Sequence, residues 1–138
     1  MNTTQIERIL KDVDNFQGVF SVDTLPPRPR LLVCNTEPSS KSGEHWIAIN
    51  VDERTGRGEY FDSFGRPPPG VFRDYLNRHC IAWIYNRKQL QSVVSSFCGY
   101  YCCFYCLCKY KLDLPKIVAC FTNDTGFNDY IVHSFVCQ

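Results

Sequence analysis

The sequence predicts an α+β fold, a small mixed or antiparallel sheet flanked by helices, with one helix buried at its centre. Three observations predict it. Short apolar runs recur between stretches rich in turn-forming residues, as strands do. The run from Cys98 to Tyr110 is apolar on nearly every side, the pattern of a helix surrounded by protein. Segments with apolar residues at helical spacing also stand at both ends of the chain, outside the strand-like runs.

Each element follows in order. Thr4-x-x-Glu7 has the form of a capping box, and Ile6, Ile9, Leu10 and Val13 continue at helical spacing. A helix from Thr4 to about Asn15 is expected. Leu25-Pro26-Pro27-Arg28-Pro29 breaks regularity and leads into Arg30 to Asn35, a compact buried-strand pattern. Pro38 to Gly43 is a polar loop. Two strands, His45 to Val51 and Gly58 to Asp62, flank a turn containing Thr55-Gly56.

Ser63 to Gly70, with Pro67, Pro68 and Pro69 in succession, reads as an irregular exposed connection. Val71, Phe72, Tyr75 and Leu76 recur at helical spacing up to about Arg78. Ile81 to Tyr85 is a further strand-like run. A loop holding Gln91 precedes the Cys98 helix, which Leu112-Asp113-Leu114-Pro115 ends. Pro115 to Phe121 predicts a short helix, and Phe127, Ile131, Val132, Phe135 and Val136 a final amphipathic one. No repeat, low-complexity tract or linker interrupts this order, so residues 1–138 read as a single domain.

Composition excludes several function classes. The 138 residues are 44% hydrophobic and 14% aromatic, as in a globular protein. Fifteen basic and fourteen acidic residues leave a net charge of +1, too little for a global field that recruits nucleic acid or an anionic membrane. Met1 to Arg8 has no apolar signal core, and the run from Phe97 to Cys108 is too short to span a bilayer. A soluble, intracellular, monomeric protein is expected. Nine cysteines, an odd number without a secretory signal, are expected to be free thiols in a reducing compartment. Chemistry, metal binding and core packing are then their three readings.

Cys98-Gly99 opens the apolar helix, and Gln91 lies seven residues upstream. A helix N-terminus favours the thiolate, and a glutamine amide can donate to a developing oxyanion. A cysteine nucleophile also needs a base, and the base needs a group that orients it. His45 opens one strand of the hairpin and Asp62 closes the other. A hairpin turning between Glu53 and Arg54 sets His45 opposite Asp62, on one face, with Cβ atoms about 4.5–5.5 Å apart. Gly56 and Gly58 leave room for a register shift of a residue or two. Asp52 and Glu53 fall in the turn, and Glu59 has the opposite parity. Taken alone, His45 also reads as a strand-edge histidine without function; His79 and His133 read as helix-surface residues.

His45-Trp46, the acid in Tyr60-Phe61-Asp62-Ser63-Phe64-Gly65, Gln91, and Cys98-Gly99-x-x-Cys102-Cys103 together resemble the adenovirus maturation protease family (adenain), which is similar to proteases of Polinton/Maverick elements and, more distantly, to SUMO-specific proteases. The resemblance covers about residues 30 to 110. It implies that family's fold, with a small mixed sheet flanked by helices and a buried central nucleophile helix. It implies a thiol endopeptidase with Cys98 as nucleophile, His45 as base, Asp62 as orienting acid, and an oxyanion hole from Gln91 and the Cys98 N–H. It further implies capsid or precursor proteins as substrates, cleaved after small residues such as glycine, with Trp46 and Gly99 at a narrow cleft. A viral origin would place the protein in the host nucleus or the virion. An activating peptide joined by disulfide at Cys80, and DNA as a cofactor, are implied in the same way. For Cys80 the alternative is an ordinary buried thiol.

Three rivals stay open. Cys103-x-x-Cys106, with Cys108, Cys120 and Cys137 downstream, has zinc-ligand spacing but lacks a second close pair; the expectation is no metal. The basic residues are scattered, which fits a solvated face better than a nucleic-acid module. A SUMO- or ubiquitin-like isopeptidase of the same fold would share every catalytic position.

Overall fold

The computed structural model describes residues 1–40 and 45–137. The end of the expected polar loop, up to Gly43, and the Gly43-Glu44 pair before His45 lie outside the described residues.

Five strands form one mixed sheet in the order β1 (Phe16–Ser21), β2 (Leu31–Asn35), β3 (Trp46–Asp52), β4 (Arg57–Phe61) and β5 (Ala82–Tyr85). The inner pairs β2–β3 and β3–β4 are antiparallel, whereas β1 and β5 join the edges in parallel. The mixed α/β architecture follows the expected class. β1 escaped the sequence pattern because Gly18, at φ +131°, breaks its alternation and its pairing with β2 shifts between Phe16 and Val19.

The helices are α1 (Thr3–Leu10), α2 (Gly70–His79), α3 (Cys98–Cys108), α4 (Leu114–Val118) and α5 (Thr125–Val136). α1 begins and ends earlier than its periodicity predicts. Its capping box is Asn2 with Gln5, not Thr4 with Glu7: Asn2 Oδ1 accepts from the Gln5 N–H at 2.9 Å, and Gln5 Oε1 accepts from the Asn2 N–H at 2.7 Å. Asn15, at φ 66°, lies in a turn after the helix.

The alternating strand pattern divides the core between two faces. Leu31, Val33, Ala48 and Phe61 meet α1, α3 and α5 on one side. Leu32, Cys34, Ile47, Ile49 and Tyr60 meet α2 on the other. α3 crosses the first face and is buried along nearly its whole length, from Cys98 to Cys106. Burying a helix without a polar face is favourable only because its backbone is satisfied internally and every side of it meets apolar atoms.

One buried carboxylate pins the far end of α3. Glu59 of β4 accepts from Tyr105 Oη at 2.5 Å and from the Leu114 N–H at 2.9 Å, and pairs with Lys109 Nζ at 3.1 Å. Its parity points it away from the catalytic candidates and under α3, where its full set of partners offsets the cost of burying the charge. Among the described residues, no helix is long and apolar enough to cross a membrane.

Candidate active site

The β3–β4 register decides how His45 and Asp62 meet. Ala48 pairs with Phe61 and Asp52 with Arg57. Continued past the last pair, this register sets His45 across from Phe64, two residues beyond the Asp62 expected. The turn over residues 53–56 causes the shift: Gly56, at φ +74°, closes it by donating its N–H to the Asp52 carbonyl at 2.8 Å. Asp62 consequently reaches His45 from a diagonal position, and its Oδ1 stands 2.8 Å from His45 Nε2. With Nε2 engaged by the acid, Nδ1 is the ring nitrogen left for Cys98, which is near enough for each group to shift the other's acidity.

Cys98 is the first residue of α3, and no side chain caps that helix. The backbone N–H groups of Trp46 and Gly99 lie close enough to its sulfur to favour the thiolate. Burial works against the thiolate, but His45 and these two N–H groups outweigh it and hold the thiol below its ordinary pKa of 9.0. For His45, burial disfavours the charged ring, while hydrogen bonds to Asp62 and Cys98 and their negative charge more than reverse this, raising it to about 9. The arrangement therefore favours a thiolate–imidazolium pair.

The other cysteines behave differently. All nine are free. Burial raises Cys34, Cys80, Cys102 and Cys106, takes Cys103 to about 12 and Cys108 to about 11. Cys102, Cys103 and Cys106 pack in the α3 core as small apolar groups. Among the described residues no group of three His, Cys, Asp or Glu converges on a metal position. Cys80, half-buried at the end of α2, packs onto Gly58, where any Cβ would overlap its sulfur.

Trp46 packs against the helix mouth. A Cβ on Gly99 would stand 3.1 Å from Cε3 and Cζ3 of the Trp46 ring and 3.2 Å from Met1 Sδ. Glycine at 99 is thus what lets the indole rest on the first turn. Among the described residues, Trp46 Nε1 is a buried donor without a partner.

Gln91 is fully buried between β5 and α3. Its Nε2 donates to the Ser95 carbonyl at 2.9 Å, and its Oε1 accepts from Ser63 Oγ at 2.5 Å. The segment after β4 is held close to it because Gly65, at φ +72°, lies so near the Lys88 backbone that a Cβ would approach its carbonyl to 2.7 Å. Ser63 itself is 1% exposed. The exposed connection expected from Ser63 to Gly70 therefore begins only beyond Gly65.

Three residues that frame the site were missed in the sequence. Asn86 follows β5, and its side chain grips the Asp62 backbone from both sides, accepting from the Asp62 N–H at 2.9 Å and donating to its carbonyl at 2.5 Å. Phe64 donates its N–H to Asp62 Oδ1 at 2.9 Å and stacks on His45. Ser63 holds Gln91. The signal for Ser63 and Phe64 was their adjacency to Asp62; Asn86 carries no local signal.

The fold defines a class: it is the fold of a viral protease of known structure, and the sequence is similar to that of adenovirus proteases. The chain is similar to the protease of Frog adenovirus 1, 26% identical over 105 residues, and to that of Bovine adenovirus 7, 27% identical over 100 residues. These alignments take in 66% and 61% of this chain, and they span half the length of either relative. Among solved structures, the ASFV protease superposes with a TM-score of 0.66 at 19% identity, covering 94% of this chain and 64% of its own. A second crystal structure, of the selenomethionine form, aligns at 26% identity over 77% of this chain and 44% of its own, with a TM-score of 0.56. No protein-family model matches the chain.

Proposed function

We propose that the chain is a cysteine endopeptidase in which Cys98 is the nucleophile, His45 the general base and acid, Asp62 the orienting acid and Gln91 an oxyanion donor. One observation carries the reading: Cys98, alone among the cysteines whose acidity is displaced, is pushed toward the thiolate, and the group responsible is an imidazole already held by a buried carboxylate.

The chemistry follows from this order. The Cys98 sulfur bonds to the scissile carbonyl carbon, and the carbonyl π electrons move onto oxygen, where Gln91 Nε2 and the Cys98 N–H stabilise the charge. As the carbonyl re-forms, the C–N bond breaks and the leaving amine takes its proton from His45. Water then attacks the thioester, giving its proton to His45, and the Cys98 thiolate departs with its electron pair. Asp62 supports the imidazolium through both proton transfers without itself becoming protonated.

In this reading Trp46, packed against Gly99, helps wall a narrow cleft that admits small residues before the scissile bond. Capsid or precursor proteins with glycine there are the substrate class we propose, as the adenovirus likeness suggests. The test has two parts. Iodoacetamide labelling should mark Cys98 first, and Cys98→Ala should abolish cleavage; a faster thiol elsewhere, or cleavage retained in the variant, refutes the mechanism. Gly-Gly peptides should be cut in preference to SUMO and ubiquitin conjugates; the reverse preference would assign an isopeptidase. An activating peptide at Cys80, or DNA, belongs to the reading only if Cys80→Ser abolishes stimulation by added peptide, or if activity rises with DNA in a salt-dependent way.

A further inference from the structure

Asp62 and Ser63 are neighbours in sequence, and each holds a different half of the site. Asp62 turns to His45. Ser63 turns to Gln91: its carbonyl accepts from the Leu90 N–H at 2.9 Å and the Gln91 N–H at 3.0 Å, and its hydroxyl donates to Gln91 Oε1 at 2.5 Å. Both side chains are shut off from solvent, so water does not substitute for this hydroxyl. At the other end of the amide, Nε2 stands 2.9 Å from the Ser95 carbonyl and 3.4 Å from Ser95 Oγ. A carbonyl only accepts, so the nitrogen must occupy the Ser95 side and the oxygen the Ser63 side. The amide is fixed in one of its two flip states.

We propose that Ser63 is a positioning residue for the oxyanion hole, holding Gln91 Oε1 so that the amide NH2 is the group offered to the acyl oxygen. This inference rests on the cysteine-protease reading and deepens it. An amide nitrogen carries two protons; the Ser95 carbonyl takes one at 2.9 Å, and the other has only the long 3.4 Å contact with Ser95 Oγ, which an oxyanion would displace. A flipped amide would instead present an acceptor to developing negative charge, turning an attraction into a repulsion. The Asp62-Ser63 dipeptide thus orients the base with one residue and the oxyanion donor with the next. Gly65, pressed against the Lys88 backbone, holds the two segments together.

The test compares two reactions of the Cys98 thiol in the whole chain, each mapped to that residue by mass spectrometry. Iodoacetamide alkylates the thiolate by displacing iodide, without forming an oxyanion. With p-nitrophenyl acetate the sulfur bonds to the carbonyl carbon, a tetrahedral oxyanion forms, and p-nitrophenolate leaves with its electron pair. Ser63→Ala is expected to slow acylation about tenfold or more while leaving alkylation and its pH profile within about twofold. Gln91→Ala should do the same, and the double variant should lose no more than Gln91→Ala alone, because Ser63 acts through Gln91. Should Ser63→Ala not fold, Ser63→Thr keeps the hydroxyl and is expected to keep the wild-type ratio of the two rates. Equal losses in both reactions, additive losses in the double variant, or an altered ratio in a folded Ser63→Thr overturn the positioning role. If the reactive thiol of the wild-type chain is not Cys98, the protease reading fails first, and this inference with it.

Discussion

His45 and Phe64 face each other across the continued β3–β4 register, and their rings stack with centroids 4.6 Å apart and planes 22° from parallel. The Arg66 guanidinium lies 4.8 Å from the same Phe64 centroid. Phe64 also donates its backbone N–H to the oxygen of Asp62 that holds His45. One residue therefore sets both the plane of the imidazole and the position of its acid.

Phe64→Leu keeps the backbone hydrogen bond and removes the aromatic face. An imidazolium over an aromatic ring gains about 0.5–1 kcal/mol, so the variant should lower the basic limb of peptide cleavage by less than one pH unit. Peptide cleavage should fall several-fold through kcat rather than KM. A pH profile identical to wild type would show that the stack contributes nothing.

The pH dependence has a definite sign. His45 is raised from 6.5 to about 9 in the fold, so its stabilising contribution is complete below about 6.5 and is lost as pH rises through about 9. Cys98 is lowered, so its contribution is present above its ordinary value of 9.0 and is lost as pH falls through the lowered one. Iodoacetamide labelling of Cys98 should therefore switch on at a lower pH than that of a free thiol and stay level towards pH 9. Peptide cleavage should decline through about 9, where the leaving amine loses its proton donor. A single labelling step at the ordinary thiol value of 9.0 would refute the ion pair.

Asn86→Ala removes the grip on both sides of the Asp62 backbone. The loss leaves a buried N–H and a buried carbonyl without partners, which should cost about 1–3 kcal/mol in urea unfolding. Because Asp62 then moves relative to His45, the folded variant should also alkylate more slowly at pH 7. Unfolding and reactivity both unchanged would show that water replaces the amide.

Glu59→Ala separates stability from chemistry. It strands Lys109 and the Tyr105 hydroxyl at the end of α3 remote from Cys98. The ion pair is only partly shielded, with 18% of the Lys109 side chain and 11% of the Glu59 side chain exposed, so we expect about 2–3 kcal/mol, below the range for a fully buried pair. The Cys98 alkylation rate of the folded protein should stay within about twofold. A larger fall in reactivity would mean that the two ends of α3 are coupled.

Much of the candidate site was legible because its signals are local. Cys98 at the start of a wholly apolar run, Gly99 behind it, and His45 and Asp62 at the same end of a hairpin each announce themselves through neighbours in the chain. The hairpin register was not legible, since Gly56 permits a turn whose centre lies one residue later than the pattern suggests. Nor was β1, whose alternation Gly18 interrupts.

The sequence by itself determined the central buried helix, the four inner and C-terminal strands, and the order of His45, Asp62, Gln91 and Cys98, because hydrophobic periodicity and helix-end chemistry act over a few residues. The tertiary structure alone decided that Asp62 reaches His45 diagonally, that Phe64 backs the imidazole, and that Ser63 and Asn86 fix Gln91 and Asp62. Those contacts join segments brought together only when the sheet and α3 bury their apolar faces, and a buried polar group is satisfied by whichever partner the packing sets beside it.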